Sequence, residues 1–117
     1  MYNFNITNKL PNNSTPLGVD CHTAGEDLGK KLLYATENFH WEFMMFSWQS
    51  LAYFCDFWWL EKKKSLLVFH HDVAFKYCIN SGFFGFVNEC RWYVKEDGFY
   101  VDTGIIINGL PEKIASW

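Results

Sequence analysis

From Phe39 to Trp59 the apolar residues keep to every second position. Phe39, Trp41, Phe43 and Met45 take the odd places, and Leu51, Tyr53, Cys55, Phe57 and Trp59 resume after the polar break "SWQS" at 47–50. Side chains alternate across a strand, so this is the signature of two strands with a turn at 47–50. The even positions are mixed: His40, Glu42, Met44, Phe46, then Ala52, Phe54, Asp56, Trp58 and Leu60. A helix fits poorly, because on a 100° wheel His40 and Ser47 oppose Glu42 and Gln49 and leave no single stripe to bury. A membrane span fits no better, since Glu42 and Asp56 would each cost roughly 2.5–3.5 kcal/mol near mid-bilayer. The stretch is predicted to be a hairpin.

The alternation runs on. "EKKK" at 61–64 is predicted as a turn, after which Leu67, Phe69, Val73, Phe75, Tyr77 and Ile79 share a face interrupted by His71. A second turn is expected at "NSG", 80–82. Phe84, Phe86, Cys90, Trp92 and Val94 then alternate against Glu89, Arg91 and Lys95. "KEDG" at 95–98 is a hairpin signal, with Gly98 free to adopt positive φ. "FYVDTGIII" follows as the last long strand.

Upstream the pattern changes period. "TAGE" at 23–26 has the form of a capping box, and Leu28, Leu32, Ala35 and Phe39 follow at helical spacing. A helix is therefore expected over 23–38, weakened by about 1 kcal/mol at each of Gly25 and Gly29. "YNFNIT" at 2–7 is expected to be an edge strand, and 8–20 a loop by its Pro, Asn and Ser content. The predicted fold class is α+β: one main N-terminal helix packed on a curved antiparallel meander of about five to six strands. This order of elements resembles cystatin, hot-dog and NTF2-like architectures. One domain is expected over 1–117, with strand and loop to 22, helix 23–38, meander 39–107 and tail 108–117.

Composition narrows the function classes. Aromatic residues make up 21% of the chain, and such side chains serve both cores and binding hot spots. The net charge is −3 with a single arginine, Arg91, so the basic stripe of a nucleic-acid binder is missing. "MYNFNITNKL" lacks the pattern of a secretory leader. From this a cytoplasmic, reducing location is expected, with Cys21, Cys55, Cys78 and Cys90 as small core hydrophobes that need no disulfide or metal. The sequons at Asn5, Asn12 and Asn13 would then be idle.

Candidate chemistry is sparse. "FHHDV" at 69–73 puts His70 and Asp72 on one side of a strand, where they offer a base with its orienting carboxylate. They would make a metal site only if His40, Glu42 or Asp56 supplied a third ligand. Adjacent Cys21 and His22 before a helix start would favour a thiolate, but no oxyanion motif accompanies them. Phosphate-loop, nucleophile-elbow and zinc-protease motifs are absent. No cofactor is expected.

One helix covers only one face of a sheet. Met44, Phe46, Phe54, Trp58, Leu60, Leu66 and Val68 would then form an uncovered apolar face. It would close a second core, bind a second copy, or dock a partner. The expected function is a small non-enzymatic protein-binding domain, an inhibitor or adaptor of the viral counter-defence or immunity type. Its partner would bind at Phe46, Phe54, Trp58, Met44 and Leu60. The competing expectation is a pocket protein for an apolar ligand, or a weak enzyme, centred on His70 and Asp72.

Overall fold

The computed structural model describes residues 2–12, 14–44, 51–70, 78–80, 88–102 and 111–117. Among these no residue is helical and 73% lie in strands, in two sheets. The expected helix on a meander is therefore corrected to an all-β architecture. The strands are β1 Tyr2–Asn8, β2 Leu17–Thr23, β3 Glu26–Leu33, β4 Asn38–Phe43, β5 Ala52–Trp59, β6 Lys62–His70, β7 Ile79–Asn80, β8 Asn88–Lys95, β9 Gly98–Asp102 and β10 Glu112–Ala115. One sheet has the order β10-β9-β8-β1-β4, with β7 also on β8; the other has the order β3-β2-β5-β6.

The helix gave way to a tight hairpin. Thr23 pairs with Glu26 across the two residues Ala24 and Gly25, so "TAGE" is a hairpin turn and not a capping box. The Thr23 hydroxyl donates to the Ala52 carbonyl at 2.5 Å, tying β2 to β5. The residues at helical spacing do not share a face, because a bulge interrupts the strand. The register of β2 with β3 shifts between Asp20 and His22, and Gly29 sits opposite that shift at φ 85°. An added residue exchanges the two faces of a strand. Leu28 consequently packs on the core, as does Leu33, while Leu32 is exposed.

Residues 40–60 do hold two strands, but they are not a hairpin. β4 pairs with β1 in the first sheet, whereas β5 lies between β2 and β6 in the second. The chain crosses from one sheet to the other, through residues 45–50 outside the described set. β1 is no edge strand either: it lies between β4, antiparallel, and β8, parallel. The lysine triplet belongs to β6, and the turn is Leu60–Glu61. A second bulge, between Tyr53 and Phe54, turns Leu67 outward and leaves Val68 and Phe69 buried. The tail forms β10 against β9, and Trp117 packs 4.8 Å from Phe99.

The core lies between the two sheets. Phe4, Ile6, Trp92, Val94, Phe99 and Val101 from one meet Leu17, Val19, Tyr53, Phe57, Trp59 and Phe69 from the other. Aromatic pairs bridge the layers, including Phe57–Phe99 at 4.8 Å and Phe43–Phe69 at 4.9 Å. Buried polar groups must find partners, and Asn8, 1% exposed, does so. Its side-chain amide donates to the Leu33 carbonyl and its oxygen accepts from the Leu10 amide, both at 2.8 Å. Asn8 thus joins the end of β1 to the end of β3. "KEDG" is a hairpin as expected, with Lys95 opposite Gly98. Gly98 has φ 151°, and a Cβ there would stand 2.1 Å from the Ala115 carbonyl oxygen, so only glycine lets β10 close on β9.

Two disulfides complete the frame. Cys21 and Cys55 face each other across β2 and β5, fully buried, and are bonded. Cys78 is bonded to Cys90 in β8. The reading of the four cysteines as reduced core residues is overturned.

Candidate functional site

Because the odd positions of β5 are buried, its even positions face outward, and the pairing builds a surface in rows. Leu32, Gly18, Trp58 and Lys63 form one row; Lys30, Asp20, Asp56 and Ser65 the next; Asp27, His22, Phe54 and Leu67 a third. Trp58 lies flat over Gly18: a Cβ at residue 18 would be 1.8 Å from the indole Cε2. The His22 and Phe54 rings stack at 6.1 Å. Phe54 and Leu67 remain 45% and 41% exposed. A depression of about 490 Å³ opens beside Trp58, lined also by Asp20, Lys30, Asp56 and Lys63.

The middle row is electrostatically tuned. Burial, then the hydrogen bond to Asp27 and its charge, push the Asp20 carboxyl above the ordinary carboxylate range, against the opposing pull of Lys30. Asp27 is held below that range, first by the Gly29 amide at 2.9 Å and then by the bond from Asp20. Asp56 accepts from the Ser65 hydroxyl at 2.5 Å.

The sign of the pH effect follows. A raised carboxyl stabilises the fold fully below its unfolded pKa, and that share is lost as pH rises through the raised value. Asp27 contributes the reverse, a share lost as pH falls through its lowered value. The contribution of this pair should therefore be greatest at acidic pH. Asparagine at position 20 does not titrate, so Asp20→Asn should flatten the alkaline flank. Melting temperatures from about pH 3 to about pH 8 check this. Parallel curves for the two proteins would contradict it.

The sequence-predicted residues scatter. Phe54 and Trp58 share the outer face of β5. Leu60 adjoins them at the turn, 63% exposed and at φ 56°, a left-handed conformation that costs a leucine energy. Met44 is exposed but follows β4 in the other sheet. Phe46 and Asp72 lie outside the described residues. Val68 is buried and Leu66 packs on the core, so the expected apolar face is narrower than its seven members. His70 ends β6 opposite Ala52, whereas His40 sits on β4 opposite Asn5. Among the described residues no group of three potential ligands converges on a metal position. His40 and Glu42 instead line a polar depression of about 280 Å³ on the first sheet, with Asn3, Asn5, Glu89 and Arg91. Arg91 there pairs with Glu89 and, at 3.6 Å, with Asp102.

Sequence reasoning missed Gly18, Leu32 and Leu67, and it set His22 beside a thiolate, whereas Cys21 is disulfide-bonded and His22 stacks on Phe54. Alternation of Leu17, Val19 and Cys21 was the available signal for β2, and it would have placed Gly18 and Asp20 outward.

These features define a class: a disulfide-bonded sandwich of two sheets that presents aromatic and charged side chains on one outer face. Residues 3–117 match the family model described as Plant self-incompatibility protein S1, and the chain belongs to that family. S-protein homolog 5 of Arabidopsis thaliana is 26% identical over 83 residues, which cover 71% of this chain and 58% of that protein. S-protein homolog 24 of the same plant is 32% identical over 85 residues, covering 72% and 51%. The chain thus spans little more than half the length of these curated relatives. No solved structure matches it. Members of the family are secreted extracellular proteins, and the two disulfides fit that setting. The expected cytoplasmic location is corrected accordingly. The family is not known as enzymatic.

Proposed function

We propose that the protein is a secreted recognition factor that binds a protein receptor through the outer face of the β3-β2-β5-β6 sheet. The observation that carries this is Trp58 laid over Gly18, with Phe54 and Leu67 exposed beside it. A large aromatic flanked by charges is the composition of a binding hot spot. Leu60 extends the surface at the turn, where an exposed leucine in a left-handed conformation serves packing poorly. Membership of a self-incompatibility family supports a protein partner, since recognition between proteins is what such a system requires. The homodimer expected as an alternative is without support. An inhibitor or viral role likewise gains none. No helix among the described residues is long and apolar enough to cross a membrane.

The test is binding of the labelled protein to plant cell-surface membranes. Saturable binding that disappears after the membranes are treated with protease is expected. Binding that survives protease, or never saturates, would remove the protein receptor.

A further inference from the structure

We propose that Asn12 is an N-glycosylation site, carrying an oligosaccharide on the loop between β1 and β2. The inference rests on the secretory setting and is independent of the recognition face. The chain holds three acceptor sequons: Asn5-Ile6-Thr7, Asn12-Asn13-Ser14 and Asn13-Ser14-Thr15. A chain that forms disulfides on its way out of the cell passes through the compartment where such asparagines are modified.

The structure separates Asn5 from Asn12, and substitution separates Asn12 from Asn13. Asn5 lies mid-strand in β1, opposite His40 on one side and Arg91 on the other. Its side-chain oxygen accepts the Thr7 hydroxyl at 3.2 Å, so the two polar groups of that sequon bond each other. A glycan there would have to rise from the floor of the depression that Asn5 lines. Asn12 is placed differently. It is exposed, one residue past exposed Pro11, in a turn closed by Ser14. The Ser14 amide and hydroxyl both donate to the Pro11 carbonyl, at 3.0 and 2.5 Å, which throws residue 12 outward. Such a surface loop is where a glycan is tolerated.

The loop also sits off the sheet face that carries Phe54 and Trp58, at the end of the sandwich where Leu60 lies. The Lys9 amide bonds the Val94 carbonyl at 2.8 Å, and Leu17 starts the strand whose next residue meets Trp58 near the end of β5. Asn12 therefore lies at the end of the sandwich that carries the β5–β6 and β8–β9 turns, not on a sheet face.

The reaction needs a polyprenyl-diphosphate-linked oligosaccharide as donor. The bond from the anomeric carbon to the phosphate oxygen breaks, and a bond from that carbon to Nδ2 of Asn12 forms. One amide proton is lost to a base of the transferase, and polyprenyl diphosphate leaves.

Two substitutions distinguish the overlapping sequons. Ser14→Ala destroys the Asn12 sequon but keeps that of Asn13, whose hydroxyl residue is Thr15; Thr15→Ala does the opposite. The protein is produced in plant cells, and its total pool, secreted and retained, is digested with peptide:N-glycosidase in heavy-oxygen water. Mass spectrometry then reads which asparagine has become labelled aspartate. Label at position 12, lost in Ser14→Ala and kept in Thr15→Ala, is the expected result. Label at Asn5 or Asn13 alone, a glycan that survives Ser14→Ala, or an unmodified chain would overturn the proposal.

Discussion

Reduction of the two disulfides should abolish most of the protein's stability. Cys21–Cys55 closes a loop of 34 residues and Cys78–Cys90 one of 12. By the chain-entropy relation they restrict the unfolded chain by about 4 and about 3 kcal/mol. Domains of this size are stable by only about 5–15 kcal/mol in total, so the two bonds are a large part of the margin. A melt in reductant should fall by roughly 20 °C or more, or show no cooperative transition. The double variant Cys21→Ala/Cys55→Ala should lose the larger share, because it also leaves a gap between two fully buried positions. A melting temperature unchanged by reductant would contradict this.

The strands with unbroken alternation were legible. β4, β5 and β8 bury the residues that period two assigns, among them Tyr53, Phe57, Cys90 and Trp92. Failures came where one residue interrupts the period. In β3 the bulge at Gly29 put Leu28 and Leu33 on one side and broke the alternation, while the helical spacing of Leu28, Leu32, Ala35 and Phe39 spans two strands and includes the exposed Leu32. The inward side of that edge strand also carries Lys31, whose ammonium lies 5.6 Å from the centre of the Phe39 ring, so its apolar alternation is weak. Which strands share a sheet could not be read from β4 and β5. Their patterns fit a hairpin and a crossing equally well, and long-range pairing alone decides.

The compartment was misread for a different reason. An even number of cysteines and three sequons both pointed to secretion. The composition of residues 1–10 pointed the other way. Of the candidate site, Phe54, Trp58 and Leu60 were found because outward aromatics in a half-buried strand are visible in its pattern. Gly18 was not, since a glycine beneath an indole leaves no mark in a sequence.

Trp58 provides the most direct test of the recognition face. Its ring points outward over β2, so a lysine in its place stays solvated and folding should survive with a nearly unchanged melt. Loss of a central aromatic anchor costs about 2–4 kcal/mol of binding, roughly 30- to 1000-fold in affinity. The measurement is the affinity of Trp58→Lys for plant cell-surface membranes beside that of the unaltered protein, with Phe54→Lys as a second variant on the same face. A folded variant weakened by that factor is the predicted result; folded Trp58→Lys and Phe54→Lys proteins that both bind like the original would contradict the assignment of this face.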